Sequence, residues 1–149
     1  MKTTIEASLF LRLDTDAALA PFLRHSVVTL LERSWGLTGP TKEFGLMATE
    51  LYANVVTHAA WATSKVPVFL CRLGGGVVFC VRDGDPRLPC LPTQRDETAE
   101  SGRGLALLAA YTDEYGGQWG CRPMSAGKIT WLWWPFVTTE TQAERLVPA

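Results

Sequence analysis

The stretch Val66-Pro-Val-Phe-Leu-Cys-Arg-Leu73, Gly74-Gly-Gly76, Val77-Val-Phe-Cys-Val-Arg82 constrains the fold more than any other part of the chain. Its β-branched and aromatic residues suit a pleated surface, and glycine supplies the positive φ angles that a tight hairpin turn needs. The two runs are therefore predicted to be antiparallel neighbours. Val77 to Val81 is apolar throughout, which places the second strand in the middle of a sheet.

The other elements are read around this hairpin. Partial alternation of Ile5, Ala7, Leu9, Leu11 and Leu13 predicts a first strand from Thr3 to Leu13, after which Asp14 or Asp16 can cap a helix. From Ala17 to Trp35 the spacing of Leu19, Phe22, Leu23, Val27, Leu30 and Leu31 is helical, with Gly36 placed to end it. His25 in this helix has no second ligand near it in sequence and reads as an ordinary surface or core histidine. A turn at Thr38-Gly39-Pro40, with Thr41 as a cap, opens a second helix reaching Ala60. Beyond the hairpin, a stretch from Arg82 to Ser101 has no periodicity of its own. Pro86, Pro89 and Pro92 are expected to stiffen its start, Gln94 to Ser101 is charged and expected to be mobile, and loops of this length often act as lids. A third helix from Leu105 to Tyr111 is expected next, then strands from Glu114 to Cys121 and from Lys128 to Phe136, and a tail from Val137. The expected division is one domain, 1–137, followed by a tail, 138–149.

With 149 residues, 47% of them apolar and 19% charged, the chain is sized and composed for one globular core. The net charge is −1 and no run of Lys or Arg exceeds two residues, so nucleic acid is a poor candidate partner. Neither a signal-peptide core nor a membrane-length apolar run is present, and a cytoplasmic protein without a membrane partner is expected. Cys71, Cys80, Cys90 and Cys121 form no Cys-x-x-Cys pair and are expected to be reduced thiols.

Three features carry chemistry. Glu50, Asn54 and His58 recur at every fourth position of the second helix and share an arc of about 80°. Alone, that row reads first as a solvated helix face and only second as a carboxylate and an amide holding a hydrated cation. Asp83 closes the buried strand. Gly102-Arg103-Gly104 precedes a helix, where small residues let backbone amides approach an anion, although the same segment also reads as a hinge. The last strand carries Trp131, Leu132, Trp133 and Trp134, with one face expected in the core and the other forming aromatic surface.

In this order the features resemble the GHKL, or Bergerat, ATP-binding fold, and within it the anti-sigma-factor serine/threonine kinases. The resemblance runs from Trp35-Gly36-Leu37 to Gly127-Lys128-Ile-Thr-Trp131. It implies an α+β two-layer sandwich, with a mixed, mostly antiparallel sheet and about three helices on one face. It implies ATP and Mg²⁺ as ligands, Asn54 on the metal, and Glu50 as the general base of phosphoryl transfer. His58 completes the family's helix motif and is expected only to pack. The resemblance implies Asp83 as acceptor for the adenine amino group, with Gly84 beside it. Gly102, Arg103, Gly104 and Leu105 would lie along the phosphates. The implied partners are a sigma factor or comparable regulator and an anti-sigma antagonist protein. A homodimer is also implied, for which the apolar surface of the first strand and helix would serve. Two departures stand out. The family's glycines after Asp83 are replaced by Asp85 and Arg87, and Lys128 occupies the place of a Thr that helps bind adenine, with Thr130 two residues on. These departures equally suit a nucleotide-binding partner-switching module that transfers no phosphate.

Overall fold

The computed structural model describes residues 4–87 and 100–140, with nothing described of the side chains of 100–103. The segment 88–99, with most of the expected lid and Cys90, and the end of the expected tail, 141–149, lie outside the described residues.

The elements are β1 (Ile5–Asp14), α1 (Ala20–Thr29), β2 (Leu37–Thr38), α2 (Thr41–His58), β3 (Lys65–Leu73), β4 (Gly76–Asp83), α3 (Glu100–Glu114), β5 (Gln118–Pro123), β6 (Lys128–Pro135) and β7 (Val137–Thr138). A 3₁₀ turn, Ala17–Leu19, leads into α1, and a π turn, Leu30–Ser34, leads out. The first helix thus changes pitch along its length where a single regular helix was expected. Of the two candidate caps, Asp16 acts, its carboxylate accepting from the Ala18 N–H at 2.9 Å. Gly36 ends the segment with a φ of 60°.

Five strands form the main sheet in the order β1-β3-β4-β6-β5, so β4 is central, as its apolar run predicts. The β3–β4 hairpin turns at Gly74 and Gly75, with φ of 59° and 74°. Each neighbouring pair in the sheet is antiparallel, rather than the mixed pairing implied by resemblance. The reason is the β5–β6 hairpin. It places β6 between β4 and β5, so the crossover through α3 links strands that do not touch. β4 alternates in burial along part of its length, with Phe79 and Val81 in the core and Cys80 and Arg82 on the opposite face. The fold is α+β, with the helices against one face of the sheet.

Two shorter strands, β2 and β7, pair outside that sheet, Leu37 opposite Thr138 and Thr38 opposite Val137. Val137 and Thr138 were expected to begin a tail. The expected strand from Glu114 begins instead at Gln118, because α3 continues through Glu114 to keep Leu105, Leu108 and Thr112 on its buried side. Thr41 lies inside α2 rather than capping it, and its hydroxyl bonds Glu32 Oε1 at 2.6 Å.

The core lies between the helices and the sheet. Trp134 is fully buried there, edge-on to Phe44 with centroids 5.4 Å apart, and its indole N–H donates to Thr112 Oγ1 at 3.0 Å. That bond satisfies the one polar atom of the largest core side chain. The Tyr52 hydroxyl, 2.6 Å from the Asp14 carbonyl oxygen, ties α2 to the end of β1. Cys71 is buried, and Cys80 and Cys121 are half-buried free thiols. Burial, reinforced by the neighbouring Cys71, pushes the Cys80 thiol up to about 11. Among the described residues no helix is long and apolar enough to cross a membrane.

Candidate functional site

The second helix owes its position to one stripe and its chemistry to the next. Phe44, Met47, Ala48, Leu51, Tyr52 and Val55 are buried and hold α2 in the core. Glu50 and Asn54 stand beside that stripe and are half-buried, while His58 is exposed at the last turn. What half-covers the first two is α3. A β-carbon built on Gly104 would stand 3.0 Å from Glu50 Oε2 and 3.8 Å from Asn54 Oδ1. Glycine at 104 therefore brings the α3 backbone close to a carboxylate and an amide that a larger residue would crowd.

Gly102-Arg103-Gly104 is not a loop ahead of the helix. It lies in the first turns of α3, which begins at Glu100. Two glycines are poor helix formers, and packing against α2 outweighs that local preference. The consequence concerns hydrogen bonding. Only the N–H groups at the very start of a helix lack an intrahelical acceptor, so in α3 it is the amide of Gly102, its third residue, that remains available at the positive end of the helix dipole. Gly104 and Leu105 lie just beyond that turn. The Leu105 side chain joins the hydrophobic core rather than the site surface.

The other end of the site is built where β4 and β6 finish. Asp83 sits opposite Lys128 in the ladder, and both are buried. Lys128 Nζ donates to Asp83 Oδ1 at 3.0 Å and to the Asp85 carbonyl oxygen at 2.8 Å. The Asp85 N–H also donates to Asp83 Oδ1, at 2.8 Å. Asp83 is thus held from two directions on one oxygen. Asp85 pairs with Arg87, whose Nη2 lies 2.7 Å from Oδ2. The hydrogen bonds from Arg87 hold the Asp85 carboxyl well below the usual carboxylate range.

Close approaches fix this corner. The Gly84 N–H donates to Thr63 Oγ1 at 2.9 Å, and a β-carbon on Gly84 would lie 2.5 Å from the Ala62 carbonyl oxygen. At Gly127, with φ of 96°, a β-carbon would collide with the backbone of Asp83 and Gly84. Asp83 is therefore set against the turn that follows α2, while Gly104 lies beside Glu50 and Asn54 on α2 itself. Asn54 and His58 are one turn apart, about 6 Å along the axis. Thr130 shares the inward face of β6 with Lys128, but its hydroxyl meets Cys121 Sγ at 3.5 Å instead of Asp83.

The family profile described as histidine kinase-like ATPase domain matches residues 13–134. The chain belongs to this family. It is a GHKL-type ATP-binding domain, and the match takes in α2, both ends of the site and the strands that carry them. Among solved structures, the fold is similar to the histidine kinase domain from the Erythrobacter litoralis EL346 blue-light activated histidine kinase. The TM-score is 0.52 and the identity 16%, over 82% of this chain and 61% of that one. This domain therefore spans less than two thirds of that structure's length. No curated protein matches it.

The residues present fit a magnesium nucleotide. Mg²⁺ in such sites takes one or two protein oxygens and completes its shell with phosphate and water, and Asn54 Oδ1 is an oxygen donor beside the space that Gly104 keeps open. Among the described residues no group of three His, Cys, Asp or Glu is arranged to hold a metal by itself. Glu50, Asn54 and Gly104 are brought together. Asp83 and Gly84 form the second end, and His58 faces solvent. Thr63 escaped the sequence reading, and nothing in the sequence marks it apart from other threonines, while Gly127 entered it only as part of the stretch that carries the resemblance. Lys128 was visible only as a departure. Its pairing with Asp83 depends on strand register, which spacing does not disclose.

Proposed function

We propose that this domain is an ATP-dependent protein serine/threonine kinase of the anti-sigma-factor type, using Mg-ATP to phosphorylate a Ser or Thr of an antagonist protein. The observation that carries the reading is Gly104 against Glu50 and Asn54, which sets a carboxylate beside the helix start best suited to phosphate. Phosphoryl transfer asks chiefly for positioning and for balancing charge. Asn54 would hold the Mg²⁺, and the amide of Gly102, with Arg103 beside it, would meet the phosphates. Glu50 would take the hydroxyl proton as the substrate oxygen bonds to the γ-phosphorus and the bond to the bridging oxygen breaks, releasing ADP. A sigma factor or comparable regulator as standing partner is supported by the sequence resemblance alone.

The test is transfer of labelled γ-phosphate to an antagonist domain. Glu50→Ala should lower turnover by about 10²–10⁴-fold with ADP affinity kept, as expected for loss of a general base. Unchanged turnover would overturn the assignment. A second reading, a partner-switching module that binds nucleotide without transfer, is favoured by the Asp85–Arg87 pair standing where the family has glycines. Tight Mg-ADP binding with no phosphotransfer to any Ser- or Thr-bearing antagonist would select it.

A further inference from the structure

The sheet has a second face, which none of the described helices covers. Phe79, Val81, Leu132 and Trp134 turn toward the helices, so the residues between them on β4 and β6 face the other way. Strand register lines these outward residues up in rows. In one row Phe10 stands opposite Phe69, Phe69 opposite Cys80, and Cys80 opposite Trp131. Phe10 is 58% exposed, and the Trp131 indole leans over Gly120 on β5, where a β-carbon would stand 2.8 Å from the ring. The next row places Arg12 opposite Pro67, and Ile129 opposite both Arg82 and Arg122. All three arginines are exposed and make no ion pair among the described residues, whereas the acids of β1, Glu6 and Asp14, are taken by Arg72 and Lys65. From β1 to β5 the row crosses four strand spacings, about 19 Å. Beside the short Pro67 it opens into a groove of about 410 Å³, lined by Arg12 and Arg82 together with Phe10, Phe69 and Ile129.

We propose that this open sheet face docks an acidic segment of a protein partner, with carboxylates on Arg12, Arg82 and Arg122 and an apolar side chain in the groove between the first two. Charge decides the occupant. A guanidinium pairs a carboxylate through two parallel hydrogen bonds, and complementary charge sets which partner is accepted. A single small anion would reach only one arginine of so long a row. A second copy would bring the same excess of positive charge and no free carboxylate on this face. Nucleic acid carries charge along its whole length, and a chain of net charge −1 repels it outside the row. A polypeptide with a few carboxylates among apolar residues matches three cations beside an aromatic strip.

The face lies across the sheet from α2 and α3, so its test is independent of the nucleotide reading. The probes are fluorescein-labelled peptides of about twelve residues, long enough to cross the row when extended, in which Asp or Glu alternates with Leu and Phe. Control peptides carry Gln for every acid, Ser for every apolar residue, or Lys for every acid. Anisotropy should show the acidic–apolar peptides binding at least about tenfold more tightly than the Gln and Ser controls, with affinity falling as salt rises. Amide shifts in heteronuclear NMR spectra should gather at the rows of Phe10 and Arg12. Arg12→Glu with Arg122→Glu should weaken the acidic peptides at least about tenfold and gain binding of the Lys peptides, at an unchanged melting temperature. Should the reversal lower the melting temperature, Arg12→Gln with Arg122→Gln carries the same test. Equal binding of the acidic and Gln peptides, shifts confined to another face, or no binding by any acidic peptide overturns the proposal. Tighter binding of a thymidine oligonucleotide than of the acidic peptides overturns it in favour of nucleic acid. A dimer in sedimentation that Trp131→Gln dissociates overturns it in favour of a second copy.

Discussion

A missing methyl group at position 104 separates folding from function. Alanine is favoured over glycine in a helix by about 1 kcal/mol, so Gly104→Ala should leave thermal stability unchanged or slightly raised. Its β-carbon, however, would stand 3.0 Å from Glu50 Oε2, and the flexible carboxylate is what must yield. Phosphotransfer should fall at least about tenfold, since misplacing a reacting group by an ångström can cost far more. Lower activity at equal or higher melting temperature checks the prediction, whereas equal activity would detach Glu50 from catalysis. Asp85 poses a question of pH. Its carboxyl is held low by Arg87, so the folded state favours the charged form. That contribution is fully present above the unfolded carboxylate value, about 3.9, and disappears as pH falls through the lower folded value. Denaturation should therefore show Asp85→Asn less stable than wild type near neutrality, with the gap closing under acid.

At the scale of elements, close packing of helices decides what the sequence could and could not disclose. Gly45 is buried in α2 where α1 crosses it, and a β-carbon there would lie 2.6 Å from Val28 Cγ2. Gly45→Ala should destabilise despite its better helix propensity, because overpacking costs about 1–3 kcal/mol. Trimming the obstacle should relieve it. In a double-mutant cycle, Gly45→Ala with Val28→Ala should be less destabilised than the sum of the single variants by more than about 0.5 kcal/mol, measured by urea denaturation. The β3–β4 hairpin and α1 were legible from a strong pattern and a glycine at the turn or stop, and α2 from its helical period. β2 and β7 were not, since two residues cannot show a period. The start of α3 was hidden by Gly102 and Gly104, whose local preference opposes the helix that tertiary contact imposes. Its end was hidden by Asp113 and Glu114, which read as the break before a strand. In the site, the placement of Glu50 and Asn54 on one arc of α2, and of Asp83 at the end of β4, was legible from spacing and pattern, while the roles given to them rest on the resemblance. The salt bridge that joins Asp83 to a lysine 45 residues away was not, because it follows from how β4 and β6 pair.

For the whole molecule, the site brings together residues of both layers, the helices and the sheet. Glu50 and Asn54 belong to α2, Gly104 to α3, Asp83 to β4 and Lys128 to β6, so one ligand would tie the helical layer to the ends of two central strands. A ligand that binds only the folded state adds RT ln(1 + [L]/Kd) to stability, about 2.7 kcal/mol at a hundredfold excess over Kd. For a domain of this size that corresponds to a rise in melting temperature of roughly 5–10 °C. Mg-ADP should produce it, and ADP with chelator should produce less, because the share carried through the cation needs Asn54. Asn54→Ala should therefore abolish the difference between Mg-ADP and ADP alone while leaving the ligand-free melting temperature nearly unchanged, its side chain being half-buried beside the core stripe and not within it. Differential scanning fluorimetry with and without Mg²⁺ measures both quantities. A magnesium-dependent shift that persists in Asn54→Ala would move the metal to another donor and leave the nucleotide site in place.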